Sequence, residues 1–141
     1  MAVESSASAT WKGELMGGEG SVRPASGAFG ELPLTWNARA VSRDSGTSPE
    51  ELIASAHAGC FAMALSFALG NAGHPPERLE TSARVGFQPG EGITGIQLSV
   101  RGRVPGIDQV AFQEAAAGAK ENCPVSKALA AVPISLEAVL E

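Results

Sequence analysis

Two cysteines carry most of the chemistry available to this chain. Cys60 lies in the middle of "SPEELIASAHAGCFAMALSFALG", a stretch that opens with two adjacent glutamates and then holds no lysine, arginine or carboxylate to its end. Cys123 lies in "ENCPVSKAL", and the pair does not form a CxxC arrangement. A thiol of ordinary pKa, ~8.5, is only about 3% thiolate at pH 7. Inside an apolar helix the Cys60 pKa is expected to rise, so nucleophilic work there needs a cation brought to it. Without one, Cys60 is a small buried hydrophobe. Cys123 precedes a short helix that Asn122 or Ser126 could cap, and the positive end of a helix dipole lowers the pKa of a nearby thiol.

His57, three residues before Cys60 and on roughly the same helix face, raises the question of Cys–His nucleophilic catalysis. No oxyanion arrangement accompanies it, and His74 stands beside two prolines in a loop. A lone helical histidine is more often a packing or hydrogen-bonding residue. Zinc would have to use both cysteines and both histidines, at spacings unlike any zinc motif.

The elements that must position these residues follow from pattern. Ser48 as N-cap, Pro49 at the first helical position and Glu51 completing an S-x-x-E box start a helix, and "NAG" at 71–73 ends it. Phe61, Met63, Leu65, Phe67 and Leu69 alternate as in a strand, but the intervening alanines favour helix. Large side chains all round this helix require cover on all sides. The exception is a stripe of small residues, Ser55, Gly59, Ala62 and Ser66, where another backbone can approach closely. Residues 52–73 are long enough to cross a bilayer. Their alanines, serines and His57, and the lack of basic flanks and an aromatic belt, point instead to a helix buried in protein.

Strands are expected at 10–16, 32–41, 93–104 and 133–140, with a second helix at 107–122 and a short third one in "VSKALAA". Ile96, Leu98, Val100 and Val104 alternating with Gln97, Ser99, Arg101 and Arg103 mark one buried and one wet face. The expected fold is a single α+β domain over 1–141, an antiparallel sheet covered on one face by helices.

The 141 residues are 44% hydrophobic and 18% charged, which suits one globular domain. A net charge of −5 without a basic cluster argues against nucleic acid or an acidic membrane surface as partner. The N-terminal "MAVESSASATWKGE" lacks a basic region followed by an apolar one, so the expected compartment is the reducing cytoplasm. In that compartment two cysteines are better explained by redox chemistry or inert packing than by a permanent bridge.

"GTSPEELIASAHAGCFAMALSFAL" and "NCPVSKAL" resemble the two signature segments of the OsmC/Ohr family of thiol peroxidases, and the likeness runs from "ATWKGEL" through "VPGID" to the last strand. The histidine before the first cysteine resembles the OsmC branch. The resemblance implies an intertwined homodimer with a long central helix, Cys60 as peroxidatic cysteine and Cys123 as resolving cysteine. It further implies an activating arginine–glutamate pair, Arg39 with Glu50, with Arg43 as a second candidate for the cation. The implied substrates are organic hydroperoxides, with hydrogen peroxide as a further one. The implied reductant is an external dithiol such as a lipoyl group on a carrier protein, and no metal, haem or flavin is needed.

Glu50 and Cys60 are ten residues apart, about 15 Å along a straight helix. Either the helix breaks near Gly59, or Glu50 serves the Cys60 of another subunit. Two other readings compete with a peroxidase. A non-catalytic redox switch or binding protein on the same scaffold would react once rather than cycle, and a cysteine hydrolase would use His57 and leave Cys123 idle.

Overall fold

The computed structural model describes residues 1–42 and 46–141; Arg43 lies outside the described residues. The chain forms two compact units, Met1–Leu52 and Ile53–Glu141. In the first, β1 (Ala7–Lys12), β2 (Glu19–Pro24) and β3 (Leu32–Leu34) make an antiparallel sheet in that order. The segment 32–41, expected as one strand, divides after Leu34. Thr35 turns the chain, its hydroxyl accepts the Ala38 amide at 2.9 Å, and Trp36–Ala40 forms a short helix, α1. A threonine cap is enough to tip an ambiguous apolar segment from strand to helix.

The return to the sheet sets the start of the long helix. Thr47 N–H donates to the Pro33 carbonyl at 2.8 Å, and Leu34 and Thr47 form a parallel bridge. Gly46 makes this approach possible. Its φ is +120°, and a Cβ there would lie 2.6 Å from the Pro33 oxygen. Helix α2 (Pro49–Asn71) then begins as expected, with the Ser48 hydroxyl accepting the Glu51 amide at 3.1 Å. The Glu51 carboxylate takes the Thr47 hydroxyl at 2.6 Å.

In the second unit β4 (Arg78–Gln88) pairs antiparallel with β5 (Gly92–Arg103), and β5 pairs parallel with β6 (Ile134–Leu140). The sheet is thus mixed, where the sequence suggested a purely antiparallel one. A parallel pair needs a long crossover. It is supplied by α3 (Gln109–Asn122) and α4 (Pro124–Ala128). Gln109 ties α3 to β6: its amide donates to the Ala138 carbonyl at 2.9 Å and accepts the Leu140 amide at 2.7 Å.

From α2, Phe61, Leu65 and Leu69 enter a core with Val85, Ile96, Leu98, Val100, Phe112, Ala116 and Cys123. That stripe, with His57 and Glu50, is the deeply buried part of α2 in the single chain; Met63 and Phe67 are 75% and 72% exposed, and Ser55, Gly59 and Ser66 are exposed too. Gly102 of β5 shows how tight the core is. A Cβ there would lie 2.5 Å from Phe112 Cζ and 3.1 Å from Leu79 Cδ2, and the Phe112 ring is fully buried. Gly102→Ala should therefore lower stability by about 1–3 kcal/mol, the usual cost of overpacking. Urea unfolding would show it as a lower midpoint at unchanged slope; an unchanged midpoint would mean that the ring has room to move.

Candidate active site

Arg39 and Glu50 meet as a two-point pair. Arg39 Nε donates to Glu50 Oε1 and Nη2 to Oε2, both at 3.0 Å. The Thr35-capped α1 delivers the arginine, and the first turn of α2, fixed by Ser48 and Thr47, delivers the glutamate. The Glu50 side chain is 6% exposed and that of Arg39 33%. A fork-to-fork contact fixes the plane of the guanidinium and with it the directions of its outer N–H groups.

Cys60 and Cys123 meet in the second unit. Their sulfurs are 2.9 Å apart, and both are free thiols. Cys123 closes α3, donating its amide to the Ala119 carbonyl at 2.8 Å, and opens α4 as its N-cap residue. The following Pro124 disfavours helical ψ at Cys123, which adopts +124°, and takes the first helical position itself. The cysteine thus occupies the cap position that the sequence suggested for Asn122 or Ser126.

The two thiols differ electrostatically. Burial pushes the Cys60 pKa up, and the Cys123 thiol adds to this against a smaller opposing effect of the Val125 amide. Burial would also raise Cys123, but the Cys60 thiol 2.9 Å away, together with the polar groups of Ser126 and Val125 at the start of α4, outweighs it and holds Cys123 below the usual cysteine value. These directions match the expectations for a thiol inside an apolar helix and a thiol at a helix start. Access differs as well: Cys123 is fully buried, whereas Cys60 is partly accessible. Cys60 lines a groove of about 930 Å³ with Gly59, Met63, Ala64, Phe67, Ala115 and Pro124 among its mostly apolar walls.

His57 is fully buried and points elsewhere. Its Nε2 lies 2.7 Å from Ser126 Oγ, and its Nδ1 has no partner. Burial lowers its pKa, so the ring is neutral at pH 7. With neither nitrogen on Cys60, the Cys–His dyad of a hydrolase is not formed. In the sequence Ser126 stands out only as a possible cap. Its contact with His57 joins two segments 69 residues apart, which no local signal could have shown.

Residues 42–137 match the family described as OsmC-like protein. The chain is 41% identical over 134 residues to the Peroxiredoxin OsmC of Escherichia coli, covering 93% of each chain. Among solved structures, an OsmC-like protein from Mycoplasma pneumoniae superposes with a TM-score of 0.73 at 16% identity, covering 99% of both chains. An organic hydroperoxide resistance protein OsmC from Legionella pneumophila gives 0.72 at 22% identity, covering 100% of this chain and 99% of the other. The chain belongs to the OsmC-like family and is an enzyme of its cysteine-based peroxidase class.

Proposed function

We propose that the enzyme reduces organic hydroperoxides, and hydrogen peroxide as a smaller substrate, with Cys60 as the attacking thiolate and Cys123 as the resolving thiol. The observation that carries this reading is the difference in access. Of two sulfurs 2.9 Å apart, only Cys60 opens on an apolar groove that can receive an alkyl chain. The Cys60 thiolate attacks one peroxide oxygen, the O–O bond breaks, and the other oxygen leaves as an alcohol after taking a proton. The resulting sulfenic acid condenses with Cys123: an S–S bond forms, the S–OH bond breaks and water leaves. An external dithiol, for which a lipoyl group on a carrier protein is suitable, reduces the disulfide by two successive exchanges.

Arg39, oriented by Glu50, is the cation proposed to hold Cys60 as thiolate and to polarise the peroxide. Helix α2 runs without interruption past Gly59, which supports a Glu50 that serves the Cys60 of another subunit over a helix broken near Gly59. Ten residues of unbroken helix span about 15 Å. The proposed assembly is therefore a homodimer in which the Arg39–Glu50 pair of one chain serves the cysteines of the other. The exposed face of α2, with Met63, Phe67 and the small residues Ser55, Gly59 and Ser66, is the surface available for that pairing; Gly59, Met63 and Phe67 also line the Cys60 groove, so in this reading the substrate site lies at the subunit seam. In this reading the whole chain, 1–141, acts as one functional domain.

The assignment of the two cysteines is tested in Cys123→Ser. One equivalent of an alkyl hydroperoxide should leave a sulfenic acid on Cys60, seen as one added oxygen in the intact mass and trapped by a sulfenic-acid reagent. In the wild type the same treatment should give the Cys60–Cys123 disulfide. Oxidation found on Cys123 while Cys60 stays reduced would reverse the roles.

A further inference from the structure

His57 is buried and bonded to a residue of another helix, and the reaction as proposed above gives it no task. Its Nε2 lies 2.7 Å from Ser126 Oγ, and about one helical turn away on both elements the sulfurs of Cys60 and Cys123 lie 2.9 Å apart. Cys60 follows His57 by three residues and Cys123 precedes Ser126 by three, a spacing that puts both contacts on one face of each helix. We propose that the His57–Ser126 hydrogen bond is a clamp that holds α4 against α2 and so keeps Cys123 facing Cys60 while the disulfide closes. This rests on the reading of Cys123 as resolving cysteine.

Helix α4 needs such a tie. It is five residues long, Pro124, Lys127 and Ala128 are exposed, and Val125 and Leu129 are only partly buried at the edge of the core. A helix this short does not persist on its own hydrogen bonds, so its place is set by what it touches. The turn of α2 that carries Cys60 is itself fixed, because the Thr81 hydroxyl of β4 donates to the Ala58 carbonyl at 2.9 Å. Among the described residues, and apart from the sulfur contact, the His57–Ser126 bond is the side-chain hydrogen bond that carries this position across to α4. Stability alone does not account for the pair. His57 Nδ1 is buried without a partner, which costs free energy, and an apolar pair of similar shape would pack without that cost. What the polar pair adds is a directional contact.

The clamp acts in the second step. The Cys123 sulfur supplies the electron pair of the S–S bond as the S–O bond of the Cys60 sulfenic acid breaks, and the oxygen takes the proton released by Cys123 and leaves as water. The sulfur contact changes in each state of this cycle. The His57–Ser126 bond joins two groups that the reaction does not alter, so it persists through the reduced, sulfenic and disulfide forms. Without it α4 can move off α2, and the effective concentration of Cys123 at Cys60 falls. His57 and Ser126 are positioning residues, because neither touches the peroxide.

The reduction potential of the Cys60–Cys123 disulfide, poised in dithiothreitol buffers without peroxide, reads that effective concentration. His57→Leu combined with Ser126→Ala replaces both polar groups by apolar ones and leaves neither partner buried alone, so the melting temperature should stay close to wild type. The disulfide of this double variant should be about tenfold easier to reduce, which is a potential about 30 mV higher. After one equivalent of an alkyl hydroperoxide, sulfenic acid should form at the wild-type rate, and closure, followed by quenched-flow trapping and intact mass, should slow by about tenfold. Ser126→Ala alone should show the same two changes, and Ser126→Thr, which keeps the hydroxyl, should largely restore both. A pair that only supports the fold would lower the melting temperature of Ser126→Ala and leave the potential and the closure rate at their wild-type values, and that result overturns the clamp. A disulfide that becomes harder to reduce in the double variant overturns it as well. Failure of Cys123→Ser to form a sulfenic acid would overturn the peroxidase mechanism, while the potential, measured without peroxide, would still decide for or against the clamp.

Discussion

Arg39→Ala is expected to slow hydroperoxide reduction by about 10- to 1,000-fold at neutral pH, with the pH–rate profile moved to higher pH. Burial already pushes Cys60 up, and the protein atoms in contact with it do not reverse that. An adjacent cation shifts the pKa of an anionic group by about 1–3 units. Losing it removes the same factor from the thiolate population, and the peroxide loses a polarising donor as well. Arg39→Lys should recover only part of the rate. A point charge keeps the electrostatic help but cannot hold the two contacts that Nε and Nη2 make with Glu50 at 3.0 Å. Pre-steady-state rates across pH would measure this. Full activity with an unshifted profile in Arg39→Ala would take Arg39 out of the site and turn attention to Arg43.

The second large effect concerns assembly. Cys60→Ser and Glu50→Ala should each be inactive after refolding alone. Unfolded together and refolded as an equal mixture, they should return about a quarter of wild-type activity on random pairing into two-fold dimers. Half of the dimers are then mixed, and in each of these one of the two sites draws an intact Cys60 from one chain and an intact Glu50 from the other. The expectation depends on α2 being one continuous helix from Pro49 to Asn71. Mixed dimers confirmed by mass that remain inactive would place both residues of a site in the same chain. Glu50→Ala should also destabilise the fold, because the Arg39–Glu50 pair joins α1 to the start of α2 with the carboxylate nearly buried. Glu50→Gln is the milder variant for the same mixture, since it keeps the shape and one acceptor.

The helix around Cys60 is legible directly in its residues. A cap, a proline at the first position and a stop are local signals, and local hydrogen bonding, such as Ser48 to the Glu51 amide, realises them. The alternation in 93–104 likewise becomes β5, because period two survives any partner choice. Strand β4 escapes the pattern although Leu79, Thr81, Ala83, Val85 and Phe87 alternate in it, since small and polar members weaken the signal. Strand β2, in a stretch that reads as a glycine-rich turn, escapes it for a similar reason.

Two cysteine segments of specific residue types are enough to identify the family, and with it the class of chemistry. An apolar helix interior and a helix start lead to the expectation of opposite pKa directions for the two thiols, but the largest contact holding Cys123 down is with the Cys60 thiol, which belongs to another segment. Three features emerge from the folded chain alone: "TWNARA" is a capped helix presenting Arg39 to Glu50, β6 joins β5 in parallel, and His57 bonds Ser126 rather than Cys60. The Thr35 cap is local, but the Arg39–Glu50 pair, the β5–β6 pairing and the His57–Ser126 bond each join segments apart in the chain. Side-chain period says which face is buried but not which neighbour lies across it, and a histidine three residues from a cysteine is no closer to it in function than the packing around both allows.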